Sequence, residues 1–364
     1  MSAPPVTMQD LPSWGRWLRW CLGAGVAFAL LVLAFNVLVD PYGANPLRIR
    51  FERPLMDINQ RFMYPQVLRS GEFDSAVFGT STARLLKPAD LEASFGGHFA
   101  NFGINAATPF EQSEAVQLYL AHTPNLRMLV WGIDESWCNA ELAGPDKRVP
   151  ERAFPPWLYD GSGFAVIPHL FNLRTTEISA RLVLNRLGLM QERLPRNGYD
   201  VFTPPESSYD LARARQHIWS GGPRESEEAL PAHAAIVGDM AASSRYPALT
   251  FLETTLAKLP EGGQLVVLFP PLHVALQPAP GSAAAAREGV CKERIAAIVA
   301  AHRGLTVDFR FPSAVTREDS NYWDPLHYRL PIAKRVVDAL AEARAGKPAE
   351  TDFWVIRHGP AGGS

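Results

Sequence analysis

Ser81 is the residue whose setting first suggests chemistry. It sits in Asp74–Arg84, DSAVFGTSTAR, where a short apolar run, Ala76-Val77-Phe78, gives way to Gly79-Thr80-Ser81 and then to a helix-like start. A serine on the turn from a strand tip into a helix is where α/β folds place a nucleophile or bind an anion. A serine or threonine there also caps a helix, and the stretch by itself leaves both roles open. Nucleophilic serine chemistry needs a base and a group to orient that base. Of nine histidines, His327 stands three residues after Asp324 in DPLH, a turn-forming sequence between an apolar run and a helix. A carboxylate at that spacing can take the imidazole Nδ1 hydrogen and leave Nε2 free as a base. The same Asp can simply cap the turn. His273, just past another apolar run, is the second candidate for base or substrate contact.

These residues need a scaffold. After residue 70 the chain alternates short apolar runs with helical patterns. Strands are expected at Ala76–Phe78, His98–Phe102, Leu126–Ile133, Gly263–Phe269 and Leu305–Phe309. Helices are expected near Pro88, from Thr108 to His122 behind a Thr-Pro-x-Glu capping box, across Tyr246–Leu259 and Arg287–His302, and from Pro331. The alternation predicts an α/β fold with a mostly parallel sheet. Such sheets bind ligands at the C-terminal ends of their strands. That rule selects Ser81, Gly103 with Asn105, Asp134, and the loop holding Asp324 and His327. Residues 140–245 break the rhythm with Pro, Arg, Trp and Tyr and a helix near Thr175–Leu189. They read as an insertion that covers the sheet's C-terminal edge or serves as a partner surface.

The N-terminal region carries a different signal. Trp20–Val39 runs without a charge and is long enough to cross a bilayer's hydrocarbon core of about 30 Å. Arg16 and Arg19 precede it, and Trp14, Trp17, Trp20 and Tyr42 flank it as interfacial aromatics do. The basic side predicts a cytoplasmic N-terminus (residues 1–16), a single-pass anchor (17–39), a juxtamembrane lead-in (40–71), a main domain outside the cytoplasm (72–345) and a C-terminal tail (346–364). A cleaved signal peptide is the rival reading, but the run is longer than a usual signal core and no Ala-x-Ala site follows it.

Composition bounds the remaining options. With 364 residues, 47% hydrophobic and 20% charged, the chain can bury a large core. A net charge of -2 with no basic run argues against a nucleic-acid partner. Three cysteines, Cys21, Cys138 and Cys291, form no metal-binding spacing, so neither a metal nor a cofactor is expected. Cys21 lies in the apolar segment. Whether Cys138 and Cys291 pair stays open.

Taken together, Gly79-Thr80-Ser81, Asn101-Phe102-Gly103-Ile104-Asn105, Gly132-Ile133-Asp134 and Asp324-Pro325-Leu326-His327 resemble the motif series of the SGNH (GDSL-like) hydrolases. The resemblance covers roughly residues 72–140 and 260–342. It implies a flavodoxin-like three-layer sandwich and serine ester chemistry. Ser81 would be nucleophile, His327 base and Asp324 its orienter, with the Ser81 and Gly103 N–H groups as oxyanion donors. Thr80 stands where the family usually has Asp, and Asp134 where it often has an oxyanion-hole Asn; Asn105 could supply the missing donor. With its anchor, the chain is similar to polysaccharide O-acetylation proteins of the alginate and cellulose type and to the D-alanylation protein of lipoteichoic acid synthesis. The resemblance implies an acyltransferase or esterase of the bacterial inner membrane, facing the periplasm. It would act on a cell-surface polysaccharide or another acylated envelope substrate beside a membrane-bound O-acyltransferase. A non-catalytic accessory protein and a lipid-directed esterase are the alternative readings.

Overall fold

The computed structural model describes residues 14–44, 53–142, 152–160, 163–220 and 245–357. Most of the expected cytoplasmic segment and residues 221–244 of the insertion therefore lie outside the described residues.

The apolar runs form one six-stranded sheet in the order β2-β1-β3-β4-β5-β6. Its strands are β1 (Ser75–Phe78), β2 (Phe99–Asn101), β3 (Met128–Gly132), β4 (Gln264–Phe269), β5 (Leu305–Asp308) and β6 (Val355–Ile356). The first five are parallel, and β6 runs antiparallel to β5. Burial on both faces explains why these strands read as continuous apolar runs. On β3, Leu129 and Trp131 enter one core while Met128 and Val130 enter the other, as a period of two requires.

Nine α-helices are present among the described residues. They are α1 (Trp14–Val39), α2 (Gln60–Leu68), α3 (Pro88–Phe95), α4 (Pro109–His122), α5 (Leu173–Arg186), α6 (Leu211–Ile218), α7 (Ala248–Leu256), α8 (Ala283–Ala301) and α9 (Leu330–Arg344). The capping box at α4 forms as its sequence predicts, with the Thr108 hydroxyl accepting from Glu111 N and the Glu111 carboxylate from Thr108 N. The first core includes residues of α2, α4, α5, α7 and α8; the second includes residues of α3 and α9. Helix α1 is long and apolar enough to cross a membrane.

Two local expectations change. The stretch after Ser81 is a single 3-10 turn, Ala83–Leu85, because Pro88 starts a separate helix only three residues later. The C-terminal segment is partly built into the fold. Phe353 and Trp354 are buried, and the residues that follow them form β6.

Candidate active site

Gly79 ends β1 with φ +140, and a Cβ there would meet the Ala83 Cβ and the Gly132 carbonyl, each at 2.7 Å. Only glycine lets the chain turn this tightly beside β3. The turn presents Ser81 partly exposed at the sheet's C-terminal edge. The buried Asn101 at the end of β2 holds the turn from beneath. Its Nδ2 donates to the Ala83 and Leu86 carbonyls at 2.9 and 2.8 Å.

The C-terminal loop returns to the same point across 246 residues of sequence. His327 Nε2 lies 2.9 Å from Ser81 Oγ, and His327 Nδ1 lies 2.7 Å from Asp324 Oδ2. The Asp324 carboxylate cannot donate when ionised, so Nδ1 carries the hydrogen and Nε2 accepts from the Ser81 hydroxyl. Asp324 Oδ1 also accepts from the Leu326 and His327 backbone N–H groups, each at 2.8 Å. Burial pushes the Asp324 carboxyl up. The hydrogen bonds and charge from His327, with the two backbone donors, outweigh it and hold the carboxyl below its ordinary value. Ser81, His327 and Asp324 thus stand in the hydrogen-bonded series that a nucleophile, a base and an orienting carboxylate require.

The loop is tied down at two further points. The Tyr328 hydroxyl donates to the Thr82 carbonyl at 2.6 Å, and the His273 backbone N–H donates to the Pro325 carbonyl at 3.0 Å. The structure places His327, and not His273, against the Ser81 hydroxyl. His273 is fully buried, its Nδ1 accepts from Ala275 N, and its Nε2 faces Asp319 at 3.1 Å. Burial pulls its pKa below the ordinary histidine value in spite of Asp319, so the ring is neutral near pH 7. The residue braces the Asp324 turn from behind.

The expected oxyanion donors divide. The Gly103 N–H, one of the expected donors, donates to Asn101 Oδ1 at 3.0 Å. The glycine also matters for packing: a Cβ there would lie 2.6 Å from Arg84 Cγ. Among the described residues no acceptor meets the Ser81 N–H. Asn105 Oδ1 accepts from Arg84 Nη1 at 2.8 Å. Arginine only donates, so this contact fixes the amide with its NH2 group free to donate elsewhere. The next residue, Ala106, has φ +50, a left-handed conformation that costs about 1 kcal/mol in a non-glycine residue. Arg61 compensates, donating to the Asn105 and Ala106 carbonyls at 3.0 and 3.2 Å while it forms a buried ion pair with Glu111.

Asp134 is buried and serves as a cap. Its Oδ1 accepts from Ser136 N at 2.9 Å and from the Ser136 hydroxyl, capping a 3-10 turn at Glu135–Cys138. That turn carries Cys138, which forms a disulfide with Cys291 on α8.

The described part of the insertion walls the site. Phe202 packs edge-on against His327 with ring centroids 5.3 Å apart, and the Arg84 guanidinium stacks on the Phe202 ring at 4.7 Å from its centroid. A cavity of about 270 Å³ adjoins the Asp324 side, lined by Pro204, Asp210, Arg213, His217, Trp323 and Asp324. Sequence reading missed Arg61, Arg84, Asn101 and Tyr328. The first two are buried arginines, at 2% and 3% exposure, a burial rare for that residue without a structural or functional task. Among the described residues no group of three or more His, Cys, Asp or Glu side chains is placed to hold a metal ion. No protein-family model matches the chain, and no curated protein is significantly similar to it.

Proposed function

We propose that the chain is a membrane-anchored serine acyltransferase or esterase of the SGNH type that transfers an O-acetyl group on a cell-surface polysaccharide. The observation that carries this reading is the pair of contacts at His327: 2.9 Å to Ser81 Oγ and 2.7 Å to Asp324. In the first half-reaction His327 Nε2 takes the Ser81 proton as Oγ attacks the acyl carbonyl. Asp324 stabilises the imidazolium that forms. The tetrahedral oxyanion takes hydrogen bonds from the Ser81 N–H and the Asn105 amide. The imidazolium then protonates the leaving group, which leaves an acyl-Ser81 ester. In the second half-reaction His327 removes the proton of a sugar hydroxyl, or of water, which attacks that ester and frees Ser81.

The strand order β2-β1-β3-β4-β5 supports the flavodoxin-like, three-layer part of the reading. The Cys138–Cys291 bridge supports an oxidising compartment, hence a periplasmic domain on the bacterial inner membrane with α1 as its anchor and the N-terminus in the cytoplasm. A membrane-bound O-acyltransferase is the class of partner that would deliver the acyl group. The accessory reading rests on an acidic Asp134 at the third strand tip; the Asp134 Oδ1 accepts from Ser136 N, which gives that carboxylate a capping task.

The test uses the full chain in detergent. Hydrolysis of a short-chain aryl acetate and labelling by a fluorophosphonate are measured with and without Ser81→Ala. Loss of both on substitution is the expected result. A folded wild-type protein with neither activity nor labelling overturns the proposal.

A further inference from the structure

Helix α1 is not clear of the domain that follows it. Its half-buried positions Ala29, Val32, Leu33, Phe35, Val37 and Val39, with the fully buried Asn36, form one broad covered stripe on the C-terminal half of the helix. The cover comes from the insertion, as the 3-10 segment Gly163–Leu170 and helix α5 both pack on α1. Asn36 fixes the register: its Nδ2 donates to the Leu170 carbonyl at 2.8 Å and to Thr176 Oγ1 at 3.0 Å. Just beyond the helix, the Tyr42 hydroxyl pairs with Thr175 Oγ1 at 3.2 Å.

The opposite face of α5 has no cover. Leu173, Ala180, Leu184 and Leu187 are spaced by seven, four and three residues, so they share one face, and all are exposed. Leu173 is 85% exposed and Leu187 66%; Phe164 at 70% and Leu189 at 72% extend the patch beyond both ends of the helix. Exposed apolar surface on this scale marks an interaction site. Glu177, four residues from Leu173 and seven from Leu184, lies on the same side and pairs at 2.5 Å with Arg181, which on the flank also meets Asp57 at 3.6 Å. Arginines bordering an apolar face suit a headgroup layer.

The depth of the contact selects the occupant. At 1.5 Å per residue, Asn36 lies about 5 Å and Ala29 about 15 Å inside the exit end of α1. If Trp20–Val39 fills the hydrocarbon, whatever covers that stripe shares the leaflet with it. We propose that α5 and the segment before it form a membrane-embedded shoulder, whose outward face lies among the acyl chains of the leaflet where α1 exits. The shoulder rests on the reading of α1 as a membrane span. It gives the domain a second attachment, so that the catalytic cleft is held at a set orientation to the membrane surface rather than swinging on one tether.

The full chain, reconstituted without other proteins in phosphatidylethanolamine–phosphatidylglycerol vesicles, provides the test. Cys21 is the one cysteine outside the disulfide and accepts an environment-sensitive fluorophore on α1 itself. In a Cys21→Ser background the fluorophore is moved to Leu173→Cys, Leu187→Cys or, as a water-exposed control, Lys347→Cys. Near-ultraviolet circular dichroism verifies that each variant is folded. The expected result is blue-shifted emission, quenched by doxyl-labelled lipids, at positions 21, 173 and 187, with neither effect at 347. Quenching at 21 with positions 173 and 187 in water overturns the shoulder alone, leaving the patch to the helix of a partner protein. No quenching at 21 overturns the membrane span and the shoulder with it.

Discussion

The Tyr328 hydroxyl donates to the carbonyl of Thr82 at 2.6 Å, which joins the residue after His327 to the residue after Ser81. Tyr328 is fully buried, and burial raises its pKa far above the ordinary tyrosine value, so it stays a donor at any working pH. Tyr328→Phe keeps the ring and removes the donor. A buried hydrogen bond of this kind is worth about 1–1.5 kcal/mol, so fluorophosphonate labelling should slow by up to about tenfold. The melting temperature should fall by only a few degrees. Unchanged labelling would make Tyr328 a packing residue alone.

Ser81, His327 and Asp324 are joined by hydrogen bonds, and if they serve one proton path their substitutions should not add. Ser81→Ala and His327→Ala should each lower aryl acetate hydrolysis by about 10³-fold or more, and the double variant should be no slower than the worse single one. Asp324→Asn keeps a side chain of the same shape but leaves the imidazole tautomer unfixed, and should also cost activity severely. Multiplying losses in the double variant would show that the two residues serve separate roles.

Asn105 is held by a buried charge. Arg84 holds the Asn105 amide oxygen at 2.8 Å and lies under Phe202. Arg84→Met keeps most of the buried volume and frees the amide to rotate. If the amide donates to an oxyanion, Arg84→Met and Asn105→Ala should each lower kcat by about 10- to 10²-fold with little change in KM. A KM effect with kcat intact would assign Asn105 to substrate binding instead.

The parts of this site legible in the sequence are those encoded locally. The strand runs, the Thr108 capping box and the Asp324–His327 spacing each reside in a few neighbouring residues, and all three appear in the fold. Contacts between distant segments left no local trace. Asn101 takes up the Gly103 N–H and two carbonyls of the Ser81 turn, and nothing in Asn101-Phe102-Gly103 announces that. His273 and His327 each follow an apolar run, yet only the topology separates the buried brace from the base. The role of Asp134 turned on Ser136, two residues on, a short-range cap pattern that sequence reading could have weighed.

The Cys138–Cys291 bridge closes a sequence separation of 153 residues and ties the turn after β3 to α8. In the chain-entropy picture a loop of that length contributes about 5 kcal/mol, as an upper value. Reduction, or the Cys138→Ser/Cys291→Ser pair, should lower the denaturation midpoint and reduce activity only near unfolding. Equal midpoints for the oxidised and reduced protein would count against the bridge.

Beneath the third strand tip lies a buried charge cluster that should set the acid limit of the fold. Burial alone would raise the Glu288 carboxyl, but Arg310 Nε at 2.7 Å and Lys292 Nζ at 3.3 Å bring it from 4.5 down to about 2. A carboxyl with a depressed folded pKa stabilises the fold fully above its unfolded value and loses that contribution as pH falls toward the folded one. The loss should therefore fall between about pH 4.5 and pH 2 and amount to roughly 3 kcal/mol. It reaches the site because Arg310 Nη1 also donates to the Ile133 carbonyl at 3.0 Å, next to Asp134. Melting temperature followed from pH 7 to pH 2 gives the check. Glu288→Gln should melt lower at pH 7 and lose less on acidification than the wild type. Parallel curves for the two proteins would assign the acid limit to other carboxylates.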